Sequence, residues 1–551
     1  MVISFFRLSI LSFLLILGAC ASKSKDQMQA FRKAYEAQEF DKADEILKTS
    51  ELFKDKKSLL LLQLETGTLR LGQGNETEAI AHFQKALDLI DELYTKKISA
   101  KAATFLVNDA SDIFYGASYE RSYAHYFLSK AYYARYLKLQ NKLDLQGARA
   151  TILAWDTYFT ELQRSAAPKT IYHTDLMMKV FGGQIHEVSQ IRTDKQISLQ
   201  LYKDALGILD SIGGAFEIFN SNSKEFIKEY EDALGDGKKP PTKGYKTTAA
   251  HEDFKDFLHF KILSMTREIR NTDFQLQVNA LKPSSDVLKK VNGAKTNVVV
   301  MIEEGLIPQK VSKPFNFGLK AAVDSVENKN AKAFIQGVGT IALTTFAMNT
   351  LGMSPQNTSS PGGFIFGFEA TKFMANEAAI SFELPMIEES PKLKDYVLFI
   401  LDEKGKIVKE ESLAVISENG AIAKLVLEED AVSRYVKTGT RVAIKHLVAI
   451  VAAMQVHQKL KESGPFISGT AAMATYVGAS KGIAALEKAD TRHWTTLPGS
   501  FRMSETSLPA GTYQVAISPK IEKAPNNSMK ILGNIKVIES VKEIHSFKIS
   551  Y

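Results

Sequence analysis

Residues 297–310, NVVVMIEEGLIPQK, mark the point at which the chain changes its structural period. Val298, Val299, Val300, Met301 and Ile302 form a short apolar run rich in β-branched side chains, the pattern of a buried strand. The run closes on Glu303, Glu304 and Gly305, then Leu306, Ile307 and Pro308. Upstream, apolar residues recur at helical spacing; downstream, they come largely in runs of strand length. The last helical pattern gives way at Lys282, Pro283, Ser284 and Ser285, which places a domain boundary near residues 275–295.

Working back toward the N-terminus, residues 60–93 carry the clearest internal pattern. Gly67, Gly74, Ala79, Phe83 and Ala86 fall without a gap where a tetratricopeptide unit keeps its small and large packing residues. Gln63 and Arg70 stand where that unit has large aromatics, so the first helix packs through Leu60, Leu64, Gly67 and Leu71 instead. Phe40, Ala43 and Leu47 repeat the second-helix spacing in residues 27–50. Residues 119–139, YERSYAHYFLSKAYYARYLKL, predict a long aromatic helix, followed by another over 146–162 that contains Ala148 and Trp155. A fourth helical region, 174–209, sets Ser198, Tyr202 and Ala205 at small, large and small positions. Such repeats stack on their neighbours and leave a concave face for a partner protein. Tyr115, Tyr119, Tyr123, Tyr126, Tyr132, Tyr133 and Tyr136 read as core with hydroxyls reaching its rim. His125 and His186 read as packing or surface histidines, without metal-ligand spacing. Residues 232–248 read as a mobile loop.

Working forward, residues 334–353 are apolar but carry Gln336, Asn349 and four threonines, which argues for a buried helix over a membrane span. Gly337, Gly339 and Ala342 imitate a dinucleotide fingerprint without the strand before it or the acidic residue after it. Residues 378–384, 396–401 and 423–427 predict strands, with Asp402 to Lys406 as a hairpin turn. Helix is predicted over 440–461 and in the Gly/Ala-rich 464–487. Residues 501–503, 511–518 and 531–538 predict closing strands of a small antiparallel sheet or sandwich.

Two clusters offer chemistry. Gly478, Ala479, Ser480, Lys481 and Gly482 spell a nucleophile elbow, with Asp490 and His493 following in hydrolase order. The preceding residues are a helical Ala/Met run rather than the strand an elbow needs. Asp490, Arg492, His493 and Trp494 form a polar and aromatic cluster suited to an interaction or structural role, in which Asp490 and Arg492 pair over Trp494. No metal ligand set and no cofactor is expected.

At the N-terminus Arg7 precedes an apolar run from Leu8 to Ile16 that is too short to span a bilayer, which takes about 20 residues. Leu17, Gly18 and Ala19 before Cys20 resemble a bacterial lipobox, which implies a signal peptide over 1–19 and a lipidated Cys20 heading a tether over 20–26. A multiply acylated cysteine anchors stably to a membrane, and Ala21 and Ser22 fit sorting to the outer membrane. Cys20 is the one cysteine in 551 residues, so no disulfide or thiolate metal site is expected. The net charge of +7 is spread over 69 basic and 62 acidic residues without a long basic run, so nucleic acid is not a partner.

EEGLIPQK at 303–310, Tyr119-Glu120-Arg121 and ADTRHWTTLPG at 489–499 together resemble a family of uncharacterised Gram-negative envelope lipoproteins. That resemblance implies envelope localisation, tetratricopeptide-like helices followed by a mixed C-terminal domain, and an association with peptidoglycan synthesis; it implies no catalytic residue. The expectation is therefore an α+β protein. It has a helical-repeat solenoid over 27–280, interrupted by the 232–248 loop, and a C-terminal domain over 290–551 with an antiparallel sheet or sandwich and packed helices. It is expected to act as a periplasm-facing, outer-membrane-anchored scaffold and not as an enzyme, with a protein partner on its helical-repeat face. The alternatives are an envelope hydrolase using Ser480, Asp490 and His493, and a membrane-associated assembly component.

Overall fold

A computed structural model describes residues 24–100, 112–165, 175–211, 216–236, 238, 246–318, 379–429, 461–520, 529–538 and 541–550, with scattered positions between 430 and 460. Cys20 and its leader, residues 334–353 and most of the helix expected over 440–461 lie outside the described residues. The fold is α+β: stacked helices followed by strands in mainly antiparallel sheets.

Helix α1 covers 24–36. It is followed by α2 (Phe40–Thr49), α3 (Leu59–Gly72), α4 (Glu76–Ala100), α5 (Ser118–Leu139), α6 (Lys142–Ser165), α7 (Leu176–Val188) and α8 (Arg192–Leu209). Then come α9 (Ser223–Gly235), α10 (Ala249–Ile269), α11 (Phe274–Leu281) and α12 (Ser285–Asn292). Each helix from α3 to α8 packs on the next, and α8 continues onto α10. The small-to-large pairing is direct at Gly67, where a Cβ would come within 2.6 Å of the Phe83 ring, and at Gly183, where it would come within 2.5 Å of Tyr202. Any larger residue at either position would force the hairpin apart. Gln63 and Arg70 replace aromatic packing with polar ties: Gln63 Oε1 lies 2.8 Å from His82 Nδ1, and Arg70 reaches Asp44 of α2 at 2.8 Å. The expected 174–209 helix is broken at Ser189–Ile191, with Gln190 at φ 59°. The loop expected over 232–248 starts later than expected and ends where expected. Helix α9 runs to Gly235, and Thr248 caps α10 by accepting from the His251 N–H.

The chain enters β1 (Val298–Leu306) directly after α12. The other strands are β2 (Lys310–Gly318), β3 (Ala379–Ile387), β4 (Tyr396–Leu401), β5 (Ile407–Ser412), β6 (Ala414–Glu418), β7 (Pro498–Thr506), β8 (Gly511–Pro519), β9 (Lys530–Val537) and β10 (Glu543–Ile549). Two helices interrupt them, α13 (Asn419–Glu429) and α14 (Pro465–Leu486). One sheet has the order β10-β1-β7-β6, a second has β5-β4-β8-β9, and β2 pairs with β3 apart from both. Every pair is antiparallel except β1 with β10. The β4–β5 hairpin turns where expected: Asp402 Oδ1 accepts from the Lys404 and Lys406 N–H groups, both at 2.9 Å, and Gly405 takes φ 76°. The segment 423–427 is a correction, because it lies in α13 and not in a strand. A short apolar run cannot distinguish the two states by period alone. Within AIAKLVLEE the leucine, alanine and glutamate content favours helix, and Ile422, Ala423 and Leu425 are the buried positions.

β1 organises three layers through its two-residue period. Val298, Val300 and Ile302 face Leu398 and Ile400 of β4, Val515 and Ile517 of β8, and Ile535 and Val537 of β9 in one apolar core. Val299 and Met301 point the other way, into a core shared with α3, α5, α7 and α10. That buries both faces of the strand, and each of these side chains contributes roughly 1.5–3 kcal/mol by leaving water. The architecture is helix layer, sheet, sheet.

Candidate functional site

The cluster at Asp490, Arg492, His493 and Trp494 lies in the connection from α14 to β7, which runs along the helical layer. Arg492 holds Asp490 through two charge-assisted hydrogen bonds, Nε to Oδ1 at 2.9 Å and Nη2 to Oδ2 at 2.8 Å. A further Nη2 bond reaches the Asp112 carbonyl at 2.8 Å. Burial alone would raise the Asp490 carboxyl, but the Arg492 guanidinium holds it below its usual range. Trp494 is fully buried against Phe127 and Phe83. Its backbone N–H donates to Glu120 Oε1 at 2.6 Å, while Glu120 Oε2 accepts from Ala117 at the start of α5. His493 is buried, with Nδ1 3.0 Å from the Thr491 carbonyl, and burial pushes its imidazole down to about 4.

The next two residues are gripped by Glu65 of α3. Its Oε1 accepts from the Thr495 N–H at 2.6 Å and hydroxyl at 2.8 Å, and its Oε2 accepts from the Thr496 hydroxyl at 2.6 Å. Burial pushes this carboxyl up to about 7, against the pull of those donors. Arg32 of α1 donates to the Ile307 and Thr495 carbonyls, so the first helix is tied to the same segment.

A second polar centre lies where α7 and α10 meet β7 and the start of β10. Lys261 donates to Glu505 at 2.7 Å and pairs with Glu187 at 2.8 Å; Lys542 bonds Glu505 at 2.7 Å and also Glu187. Gln184 and Thr296 add bonds to Glu505, and the Tyr202 hydroxyl donates to Glu187. No side chain of the four is more than 4% exposed. Burial would raise the Glu505 carboxyl, but the two ammonium groups hold it far below its ordinary value. A third junction joins α5 to β1, where the Tyr126 hydroxyl donates to Glu303 at 2.7 Å and Lys130 pairs with the same carboxylate. The Tyr123 hydroxyl bonds Asn419, and the Tyr133 hydroxyl accepts the Ile544 N–H. Tyr123, Tyr126 and Tyr133 thus stand on the side of the helices that meets the chain's own sheet.

These groups are engaged in joining layers. Ser480 lies inside α14, with helix on both sides, and not on a strand-to-helix turn. Asp490 is held by Arg492, and His493 turns Nδ1 toward a carbonyl, so the three hydrolase candidates do not form a relay. His125 stacks on Tyr158, and His186 Nδ1 lies 3.2 Å from Asp194 in the α7–α8 turn. Among the described residues, no group of three or more His, Cys, Asp or Glu side chains is placed to hold a metal ion, and no helix is long and apolar enough to cross a membrane. The residues the sequence reading missed are Glu65, Glu120, Glu187, Lys261, Glu303, Glu505 and Lys542. For Glu65 the signal was a lone charge within an apolar stripe, LLLLQLETGTL.

A concavity also lies between the helices and the strands among the described residues. A cleft of about 650 Å³ runs between α1, α3 and α5 on one side and β10 and β9 on the other. A scan against protein-family models finds no match to the chain, and a search of curated proteins finds none either.

Proposed function

We propose that the chain is a lipid-anchored, non-enzymatic scaffold of the cell envelope, held to the outer membrane through Cys20 and docking a partner protein, one linked to peptidoglycan synthesis being the choice that the family resemblance favours. The observation that carries the scaffold reading is the layered core. Stacked helices of a protein-binding type are welded to a sheet by buried carboxylates at three junctions, giving a rigid platform whose titratable groups serve structure. The inner face of the helices is taken by β1, β7 and β10, so the surface offered to a partner is the part the sheet leaves uncovered. The anchor rests on the Leu17 to Cys20 motif, and the described helices start at Ser24, close behind it.

The anchor is tested by radiolabelled palmitate and membrane fractionation of the wild type and Cys20→Ser. Label and outer-membrane recovery in the wild type only is the expected result; label on the variant, or identical fractionation, overturns it. The scaffold is tested by site-specific photocrosslinking in cells from exposed positions on α1, α3 and β9. A reproducible envelope partner is expected, and its absence at every position defeats the reading.

A further inference from the structure

The open cleft is built from strand edges as well as side chains. β10 is the outermost strand of its sheet and β9 the outermost of the other. Consecutive residues from Ile544 to Ser550 line the cleft, odd and even alike, as the rim of a strand does and a face does not. The direction of the backbone groups follows from two bonds. The Glu543 N–H donates to the Asn297 carbonyl beside β1 at 3.0 Å, while the Ile544 N–H donates away from β1 to the Tyr133 hydroxyl at 2.8 Å. The two-residue repeat then directs the N–H and C=O groups of Ser546 and Lys548 to the open side. Neither amide has a backbone partner outside its own sheet among the described residues. Across the cleft stand Phe40, Leu71, Leu137 and Leu306, an apolar wall.

Three carboxylates and three lysines line the cleft, and they are unevenly placed. Glu303 is matched by Lys130 and Glu76 by Lys138. Lys548 and Lys530 stand on the strand side without a carboxylate at ion-pair distance among the described residues, Lys548 partly buried and drawn by the charge of Glu303, while Glu36 is exposed on the helical side. The Lys548 ammonium donates to the Tyr35 hydroxyl at 2.6 Å and lies 4.8 Å from the centre of that ring, which holds it in the cleft. The volume lies within the roughly 300–1,000 Å³ range of ligand sites.

We propose that the cleft takes an extended peptide segment of the partner, added as a strand along β10, with alternate apolar side chains on the helical wall and an acidic side chain at Lys548. Strand addition of this kind draws affinity from main-chain hydrogen bonds and specificity from the pockets of alternate side chains. The inference rests on the scaffold reading above and names where, and by what chemistry, the partner binds. A second folded copy is disfavoured, because β10 is walled by helices on one side and by β9 on the other, so a single strand enters where a sheet edge with its own flanking layers does not.

The test uses the purified full chain and fluorescence polarisation with three synthetic octapeptides: alternating Glu and Val, alternating Lys and Val, and the Glu/Val peptide N-methylated on alternate amides. The Glu/Val peptide is expected to bind at least about tenfold tighter than either of the others, a difference of about 1.4 kcal/mol. Lys548→Glu should reverse the preference between the acidic and basic peptides, with circular dichroism and thermal unfolding checking that the variant keeps its fold. Ser546→Pro, which removes one edge-facing N–H, should weaken the Glu/Val peptide by a similar factor. Equal binding of all three peptides, absence of binding, or an unchanged preference in Lys548→Glu overturns the proposal. In the crosslinking experiment, a partner whose recovery is unaffected by Lys548→Glu defeats the cleft and leaves the scaffold standing. Recovery of no partner at any position defeats the scaffold itself.

Discussion

The two faces of β1 rest on opposite physical principles. Toward the second sheet, Val298, Val300 and Ile302 meet aliphatic side chains, and the one deeply buried charge pair there is Glu304 with Arg502. Toward the helices, the sheet is met by Glu65, Glu120, Glu187, Lys261 and Lys130, each at hydrogen-bond distance from a named partner. An apolar seam is non-directional and tolerates small slips at little cost. A seam of buried ions costs desolvation on both sides and offsets it only at one alignment. The helical layer is therefore registered on the sheet by charge, while the second sheet is held to the first by area.

The comparison breaks most visibly at the four-residue ion network. Lys261→Met leaves Glu187 and Glu505 with one buried lysine between them and should lower unfolding free energy by about 3–5 kcal/mol, read from urea denaturation at pH 7. Replacing all four residues by apolar ones of similar volume should recover most of that loss, since no lone charge remains; a quadruple variant as unstable as the single one would contradict the account. A smaller effect is expected at Glu65. Its carboxyl rises from 4.5 when unfolded to about 7 when folded, so the folded state binds the extra proton between those values. Its contribution is complete below about pH 4.5 and is lost as pH rises through 7, by on the order of 3 kcal/mol. Glu65→Gln should remove that decline, read as the difference in stability between wild type and variant across the window. The buried His125 and His493, both pushed down to about 4, work in the opposite sense below pH 6.5 and cancel in the difference. On the apolar side, Ile302→Val should cost only about 0.5–1.5 kcal/mol, with the layers still aligned. Smallest of all, Lys42→Ala removes an exposed pair with Glu39 and should change stability by less than about 1 kcal/mol.

Much of this was legible along the chain and some of it was not, for physical reasons. The helical hairpins were readable because their packing is local: Gly67 meets Phe83 within one turn-and-return, and Gly74 makes that turn at φ 73°. The apolar run at 298–302 announced a buried strand. The pairing of Asp490 with Arg492 was readable as well, since the two residues are neighbours. The partners of Glu65, Glu120 and Glu303 were not, because those bonds span more than a hundred residues and no local spacing encodes them. The 423–427 helix was misread because a run of four apolar residues around Lys424 is too short to separate the two periods. The cleft was hidden for a related reason: it exists only where α1, α3, α5, β9 and β10 converge.

The parallel pairing of β10 with β1 has a bearing on how the chain is made. β1 needs residues 498–506 on one side and 543–549 on the other, so the central sheet closes only once residue 549 has been made. Until then the helices carry Glu187 and Lys261 without Lys542 and Glu505, their sheet-side partners. Contacts of such long sequence separation slow folding and prolong the exposure of unfinished surfaces. A chain truncated before Lys542 would lose not merely an edge strand but the Lys542 pairs with Glu187 and Glu505 and the Ile544 bond as well, leaving helices made well before it without that seal.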